Sequence, residues 1–253
     1  MLRLEKAAVV AGLGEIGRPI YQLCCGGFVQ VIAEDPRIGP PETPRLPVLA
    51  LHITFPGELP NFVDLVAAYS AKYRPEITLV HATTMPGTMD RVVERLGTDH
   101  VVHSQVHGKH RGDRMRRDML RYPKFVATAS DVAFAKAKDV LVAMGQAPDD
   151  VVRLSKPLAG EMGKLLATTF FGYLVAWAQE MERLSDRCGV SFEELMAFTR
   201  LGTDDFRIDN KTSGVIGGHC VMPNIAILRR AYPSPLWDWL EQSNEQKKAR
   251  DHA

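Results

Sequence analysis

The chain has 253 residues, with 31 Lys and Arg against 30 Asp and Glu and a formal charge of +1 at pH 7. Apolar residues make up 45% and charged residues 24%, a globular mixture that excludes a disordered chain; the near-neutral charge excludes the diffuse basic field of a non-specific nucleic-acid binder. Apolar runs such as Leu165 to Ala178 stop short of the roughly 20 residues that span a bilayer, so no membrane partner is expected.

The first half alternates short β-rich runs with helix-like stretches. Ala7 to Ala11 is a strand that ends in the turn Gly12-Leu13-Gly14-Glu15-Ile16-Gly17, and a helix from Gly17 to Cys25 follows, stopped by Gly26-Gly27. Val29 to Ala33 is a second strand closed by Glu34-Asp35-Pro36, and the proline-rich stretch from Arg37 to Pro47 predicts an extended loop in place of a crossover helix. Val48 to Phe55 is a third strand before an amphipathic helix from about Phe62 to Lys72. Ile77 to His81 is a fourth strand, before a helix from about Thr88 to Leu96. Val101 to Ser104 and Lys124 to Thr128 are two further strands with a basic loop between them. Repeated βα units of this kind predict a doubly wound, mostly parallel Rossmann sheet with right-handed crossovers over residues 1–156.

A different texture begins at Pro157. No proline interrupts from there to Cys188, and apolar residues recur at three- and four-residue spacing through Leu165, Leu166, Phe170, Leu174, Trp177, Met181 and Leu184 before Gly189 supplies a left-handed stop. A helix of that length is about 45 Å long, too long for a compact sheet domain, so residues 157–253 are expected to form a helical dimerisation and substrate region. A glycine-rich loop (Gly214 to Gly218) and a short helical tail complete it, with the polar stretch Glu241 to Ala253 expected to fray. The N-terminus runs straight into a strand without the basic start of a signal peptide, and four cysteines, Cys24, Cys25, Cys188 and Cys220, two of them adjacent, make a poor disulfide framework. A cytoplasmic protein with reduced thiols is expected.

The glycine turn carries the first functional reading. It follows a strand, opens a helix and is trailed by an acidic pair about twenty residues on. Gly12 permits the tight turn, Gly14 lets backbone approach a pyrophosphate, Gly17 brings helix against strand, and Glu15 and Ile16 complete the phosphate-binding turn at the helix N-terminus. Asp35 ends the second strand, where a carboxylate can accept hydrogen bonds from both ribose hydroxyls; Glu34 is the neighbouring candidate. NAD is the expected cofactor, Arg37 leaves room for NADP, and the same scaffold also suits S-adenosylmethionine.

Four separated segments then point one way: Gly12-Leu13-Gly14-Glu15-Ile16-Gly17 with Asp35, Ala82-Thr83-Thr84-Met85-Pro86-Gly87-Thr88, Glu161-Met162-Gly163-Lys164-Leu165-Leu166-Ala167-Thr168-Thr169, and Gly217-Gly218-His219-Cys220. With these the chain resembles, over roughly residues 7 to 225, the UDP-glucose/GDP-mannose dehydrogenase family within the 6-phosphogluconate-dehydrogenase-like group. The resemblance implies two-step, NAD-dependent oxidation of a sugar-nucleotide alcohol through a thiohemiacetal on a cysteine. It implies that Cys220 is the nucleophile and that Thr83 holds a water or the nicotinamide end; Lys164 and Thr168, one turn apart on the same face of the long helix, are the residues placed to attend the reacting oxygen. It also implies a homodimer paired through the 157–188 helix.

The residue chemistry agrees in part. A cysteine in a glycine-rich loop is exposed to substrate and favoured as a thiolate, and a partly desolvated lysine can stabilise an alkoxide or act as a base. The departures from the family pattern are as informative. Asn224 stands where the family has an aspartate four residues after the cysteine, Thr168 where it has an asparagine, and Ser104-Gln105-Val106-His107 where it has a Ser-Pro-Glu segment with a catalytic glutamate; the family's third, nucleotide-binding domain is not expected. His107 is the replacement candidate, as an acid or base with a pKa near neutrality. His103, His107 and His110 invite a metal reading, but they straddle a strand end and a loop with no cysteine near, and no metal is expected. Lys109 to Lys124 carries Lys109, Arg111, Arg114, Arg116, Arg117, Arg121 and Lys124 against Asp113 and Asp118, a segment suited to a small, anionic substrate. Three readings stand at this point: an NAD-linked dehydrogenase of a small, anionic alcohol or aldehyde, a group-transfer enzyme such as an S-adenosylmethionine-dependent methyltransferase, and a non-catalytic dinucleotide-binding subunit.

Overall fold

The structure, a computed structural model, describes residues 3–108, 113–201, 214–217, 219–231 and 233–251. It divides into two compact units, Met1–Lys164 and Leu165–Ala253.

The first unit runs β1 (Leu4–Ala11), α1 (Gly17–Gly27), β2 (Phe28–Glu34), β3 (Val48–Ile53), α2 (Phe62–Tyr73), β4 (Ile77–Val80), α3 (Thr88–Leu96), β5 (Val101–His103), α4 (Arg114–Arg121), β6 (Lys124–Ala127), α5 (Asp131–Ala143) and β7 (Val151–Leu154). The strands form one sheet in the order β2-β1-β3-β4-β5-β6-β7, parallel throughout except where β6 runs against β5. This is the doubly wound, mostly parallel sheet that the repeated βα pattern predicts. Helices cover both faces, so Ala7 to Ala11 are all fully buried and read as an unbroken apolar run. Ala8 and Val10 pack with Ile20, Leu23 and Cys24 of α1 and with α4 and α5, while Ala7, Val9 and Ala11 pack with α2 and α3. The strand order reverses at β1, the place in such sheets where the carboxyl ends leave a crevice for a ligand.

The proline-rich stretch between β2 and β3 is the loop expected. Gln30 of β2 holds it, its Oε1 accepting the N–H groups of Arg45 and Leu46 at 2.9 and 3.2 Å, and Pro47 O accepts the Ala7 N–H at 2.9 Å. Elsewhere the structure differs from the sequence pattern. Helix α1 does not stop at Gly26-Gly27 but runs through them into β2, and a Cβ on Gly27 would lie 2.3 Å from Ala143 O, so a close approach to the end of α5 accounts for that glycine. Half of the segment read as a basic loop, Arg114–Arg121, is α4. Helix α5 and strand β7 add to the expected elements.

Helix α6 (Pro157–Cys188) is the long helix predicted, closed by Gly189 at φ +67°; its first eight residues belong to the first unit. The second unit continues with α7 (Phe192–Leu201), α8 (Val221–Ala231) and α9 (Pro235–Asp251). Ala176, Ile216, Ile225 and Leu240 form its core, with Met181 and Met196 in a second cluster. The tail expected to fray is helical to Asp251. Buried Asn244 accepts the Ile216 N–H at 2.6 Å and donates to Ile216 O at 3.0 Å, buried Ser243 donates to Gln179 at 3.0 Å, and Lys247 pairs with Glu182 at 2.7 Å. A polar helix is thus anchored by side-chain pairs that hydropathy does not register.

Candidate nucleotide site and active site

The turn after β1 is built as its glycines require. Gly12 sits at φ +94°, its N–H donating to Glu34 O at 2.8 Å, and Thr54 donates its hydroxyl to Gly12 O at 2.6 Å. A Cβ on Gly17 would lie 1.8 Å from Gly12 O, whereas one on Gly14 would meet nothing within 4 Å. Packing therefore dictates Gly17, while Gly14 leaves an open backbone surface of the kind a pyrophosphate approaches. Ile16 stands at the N-cap of α1 without a capping side chain, Glu15 beside it is exposed, and the first turn of α1 has no acidic residue. That end of the helix keeps its partial positive charge for an anion.

Asp35 and Glu34 part company. Glu34 turns to α2, where Lys72 donates to it at 2.7 Å and the Tyr73 hydroxyl donates to its other oxygen. Asp35 turns to the glycine turn and accepts the Leu13 N–H at 2.7 Å. It also accepts the Arg37 N–H at 3.0 Å and the Arg37 guanidinium at 2.7 and 2.6 Å. The Arg37 bonds first, then the Leu13 amide, hold the Asp35 carboxyl well below the usual carboxylate range. Open space beside the Gly14 backbone, a helix end without a side-chain cap and a buried carboxylate bonded to the same turn fit an adenosine dinucleotide.

Of the catalytic candidates, Thr83, His107 and Lys164 lie in the first unit and Thr168 and Cys220 in the second. Thr83 is half-buried past the end of β4, and its carbonyl would lie 2.3 Å from a Cβ on Gly57, so the loops after β3 and β4 abut. Lys164 donates to Val106 O at 2.7 Å. His107 packs edge-on against Phe125, ring centroids 5.9 Å apart, and burial, then the charges of Lys164 and Lys124, push it down to about 4. That makes it a weaker base than an ordinary histidine and a neutral hydrogen-bonding group at pH 7. Thr168 is half-buried on α6; Cys220 is exposed at the start of α8, and Asn224 is buried one turn on. All four cysteines are free.

The basic segment behaves differently from the reading of a substrate-binding loop. Arg116 and Arg117 pair with Asp113, Arg114 with Asp118, and Arg121 lies over the Tyr122 ring. Lys124 is buried at the start of β6, donating to Ser104 O at 3.0 Å and Gln105 O at 2.8 Å. Lys109, His110 and Arg111 lie outside the described residues, as does Gly218. Among the described residues no three His, Cys, Asp or Glu side chains gather as metal ligands; His103 instead meets Ala82 O at 3.0 Å.

Two features escaped the sequence reading. Glu161, fully buried on α6, accepts the Thr84 hydroxyl at 3.0 Å and the N–H groups of Gly87 and Met89 at 2.8 and 2.9 Å, so it caps α3 from another element while burial raises its carboxyl. The second is a buried chain across β3, β4 and β5: His81 Nδ1 lies 2.5 Å from Ser104 O, His52 Nδ1 2.9 Å from His81 Nε2, and Cys24 Sγ 3.5 Å from His52 Nε2. A carbonyl only accepts, so His81 Nδ1 donates; His52 then donates to His81, and the Cys24 thiol to His52. Both imidazoles are neutral, with burial pushing His52 down to about 3 and His81 well below the ordinary value. Only the fold brings these side chains together.

No protein-family model and no curated protein sequence matches the chain. Solved structures do. A UDP-D-ManNAc dehydrogenase from Pyrococcus horikoshii superposes with a TM-score of 0.78 at 17% identity, over 96% of this chain and 69% of that one. An NDP-N-acetyl-D-galactosaminuronic acid dehydrogenase from Methanosarcina mazei Go1 gives 0.74 at 16%, over 98% and 67%. The 3-hydroxyisobutyrate dehydrogenase of Mycobacterium tuberculosis gives 0.68 at 14%, over 99% of this chain and 96% of that one. The fold is that of these dehydrogenases.

Proposed function

We propose that the chain is an NAD-dependent oxidoreductase acting on a small, anionic alcohol or aldehyde. The observation that carries the reading is the buried Asp35 carboxylate, fixed by the Leu13 amide at 2.7 Å beside the open backbone of Gly14. Gly12, Gly14, Glu15, Ile16 and Gly17 would hold the pyrophosphate and Asp35 the adenosine ribose; bound NAD would supply the hydride acceptor. The fold shared with sugar-nucleotide and hydroxyisobutyrate dehydrogenases supports the same reading. Cys220 is the nucleophile toward an aldehyde carbon, its sulfur forming the new bond while the carbonyl oxygen takes up a proton. Lys164 supplies positive charge to a developing alkoxide, Thr83 and Thr168 orient a water or the substrate, and His107 serves as a neutral hydrogen-bond partner. The substrate's negative charge is met by Lys164. We also propose a homodimer paired through α6, on which Leu166, Phe170 and Trp177 share one face and are each about half exposed, and a reducing, cytoplasmic setting that suits four free thiols. Among the described residues no helix is long and apolar enough to cross a membrane.

Calorimetric titration with NAD and S-adenosylmethionine tests the cofactor: tight binding of the methyl donor without a response to NAD overturns the proposal. Turnover is read at about 340 nm, the reduced-nicotinamide band, over a panel of alcohols and aldehydes; no change with any of them leaves a binding subunit without hydride transfer. Asp35→Ala is expected to weaken NAD by about 10- to 100-fold, the worth of hydrogen bonds to a charged group. Cys220→Ser is expected to lower turnover far more than cofactor affinity, and unchanged turnover removes Cys220 from the chemistry.

A further inference from the structure

We propose that Arg37 sets dinucleotide selectivity, so that the site accepts a ribose bearing a 2′-phosphate, as in NADP, as well as NAD. The proposal rests on the nucleotide reading of the β1–α1 turn and adds a specificity residue to it. The Asp35 carboxylate already accepts four hydrogen bonds, from the N–H groups of Leu13 and Arg37 and from Nε and Nη2 of Arg37. That fills about all the lone-pair positions a carboxylate has. The two amide bonds are fixed by backbone. Asp35 to Ile38 is a tight turn, with the Ile38 N–H on Asp35 O at 3.0 Å and Pro36 at its second position, and the Arg37 N–H returns to the Asp35 side chain as in an Asx-turn. The two guanidinium bonds are not fixed in this way: the Arg37 side chain is 67% exposed while that of Asp35 is 5% exposed.

An unphosphorylated ribose must therefore displace the guanidinium to reach the carboxylate, and Arg37 can swing into solvent to let it. A 2′-phosphate meets the opposite situation. Asp35 is neutralised by Arg37, and Glu34, the other acid at the end of β2, is held by Lys72 and Tyr73. Arg18 adds a further cation, donating to Leu13 O at 3.1 Å. Each carboxylate at the end of β2 is thus already paired with a cation. Repulsion by the acidic pair is cancelled, and the planar guanidinium offers a phosphate a two-pronged, charge-assisted contact.

The test is direct binding, without turnover. NAD, NADP, 5′-AMP and 2′-AMP are titrated calorimetrically into the wild-type chain and into Arg37→Ala, a substitution at an exposed side chain. Wild type is expected to bind NAD and NADP within about tenfold of each other. Arg37→Ala is expected to weaken NADP and 2′-AMP by about 10- to 100-fold, the loss of one charge-assisted pair, and to tighten NAD by up to about fivefold because a competitor for Asp35 is gone. NAD binding with NADP more than about 100-fold weaker in wild type overturns the proposal, as does an Arg37→Ala variant in which both dinucleotides change alike. Failure of all four nucleotides to bind wild type overturns the nucleotide reading itself, and the proposal with it.

Discussion

At the β2 end of the sheet's carboxyl edge, acids meet bases close to solvent: Asp35 holds Arg37, and Glu34 holds Lys72 and Tyr73. At the β5 end of the same edge the ionisable groups are sealed inside. His52, His81, His103 and Lys124 are all buried, and their partners are backbone carbonyls, one another and the uncharged side chains of Cys24 and Gln105. Nearby, His103 Nδ1, Ser104 Oγ and Gln105 Oε1 are buried with no hydrogen-bond partner among the described residues. The first corner gains from keeping its groups charged, and the second folds with its imidazoles neutral. One sheet edge thus carries two opposite responses to protons, and substitutions and pH can separate them.

Acid is expected to have the largest effect. Burial pushes His52 down to about 3, His103 down to about 4 and His81 well below its ordinary value. Between pH 4 and 6.5 the unfolded chain therefore binds protons that the folded chain refuses, so stability falls as pH falls through that window. Each buried histidine contributes a slope of up to about 1.4 kcal/mol per pH unit. Denaturant unfolding across pH 4 to 8 is expected to show a steep loss below pH 6.5. A flat profile there would mean that these imidazoles are charged or solvated in the native state, and the contrast between the corners would collapse.

Next comes Gly17→Ala. The added Cβ would lie 1.8 Å from a backbone oxygen, and backbone cannot yield as a side chain tip can, so a loss of about 3 kcal/mol or more is expected in equilibrium unfolding. Gly14→Ala, with open space around its Cβ, is expected to cost no more than about 1 kcal/mol, the gap between the two residues' backbone preferences, while weakening nucleotide binding. Equal losses of stability would mean that Gly14 too is set by packing.

These expectations also show what the sequence could reveal. The glycine turn, Asp35 and α6 were legible because each is a local demand: a backbone angle, a strand-end carboxylate, an apolar stripe at helical spacing. Asp35 could not be separated from Glu34 in that way, since adjacent residues on a strand face opposite sides and only α2 says which side is taken. Lys124 read as one more cation of a basic loop because its partners, Ser104 O and Gln105 O, arrive from β5 across an antiparallel pairing. His52 and His81 sit 29 residues apart, one within β3 and the other just past β4, each beside apolar residues. The tail from Glu241 read as frayed for the same reason. Asn244 and Lys247 are polar by type and buried by their partners.

The finest test sets two lysines side by side. Burial, then the neighbouring Lys164, brings Lys124 down to about 7, below its unfolded value of about 10.4. Between those limits the unfolded chain holds a proton that the folded chain has released, so Lys124 makes stability rise with pH there and adds no pH dependence of its own below pH 7, where it is charged in both states. Lys124→Met removes this rise and leaves the two carbonyls without a donor; wild type is expected to gain on the variant steadily from pH 7 to pH 10. Lys72, half exposed on Glu34, is a surface pair, and Lys72→Met is expected to shift stability by no more than about 0.5 kcal/mol at any pH in that range. Parallel urea titrations at four pH values check both. A Lys72 variant with the larger pH dependence would reverse the assignment of buried and solvated charge between the corners, because the size of the proton-linked change follows from how far each ammonium has been taken out of water.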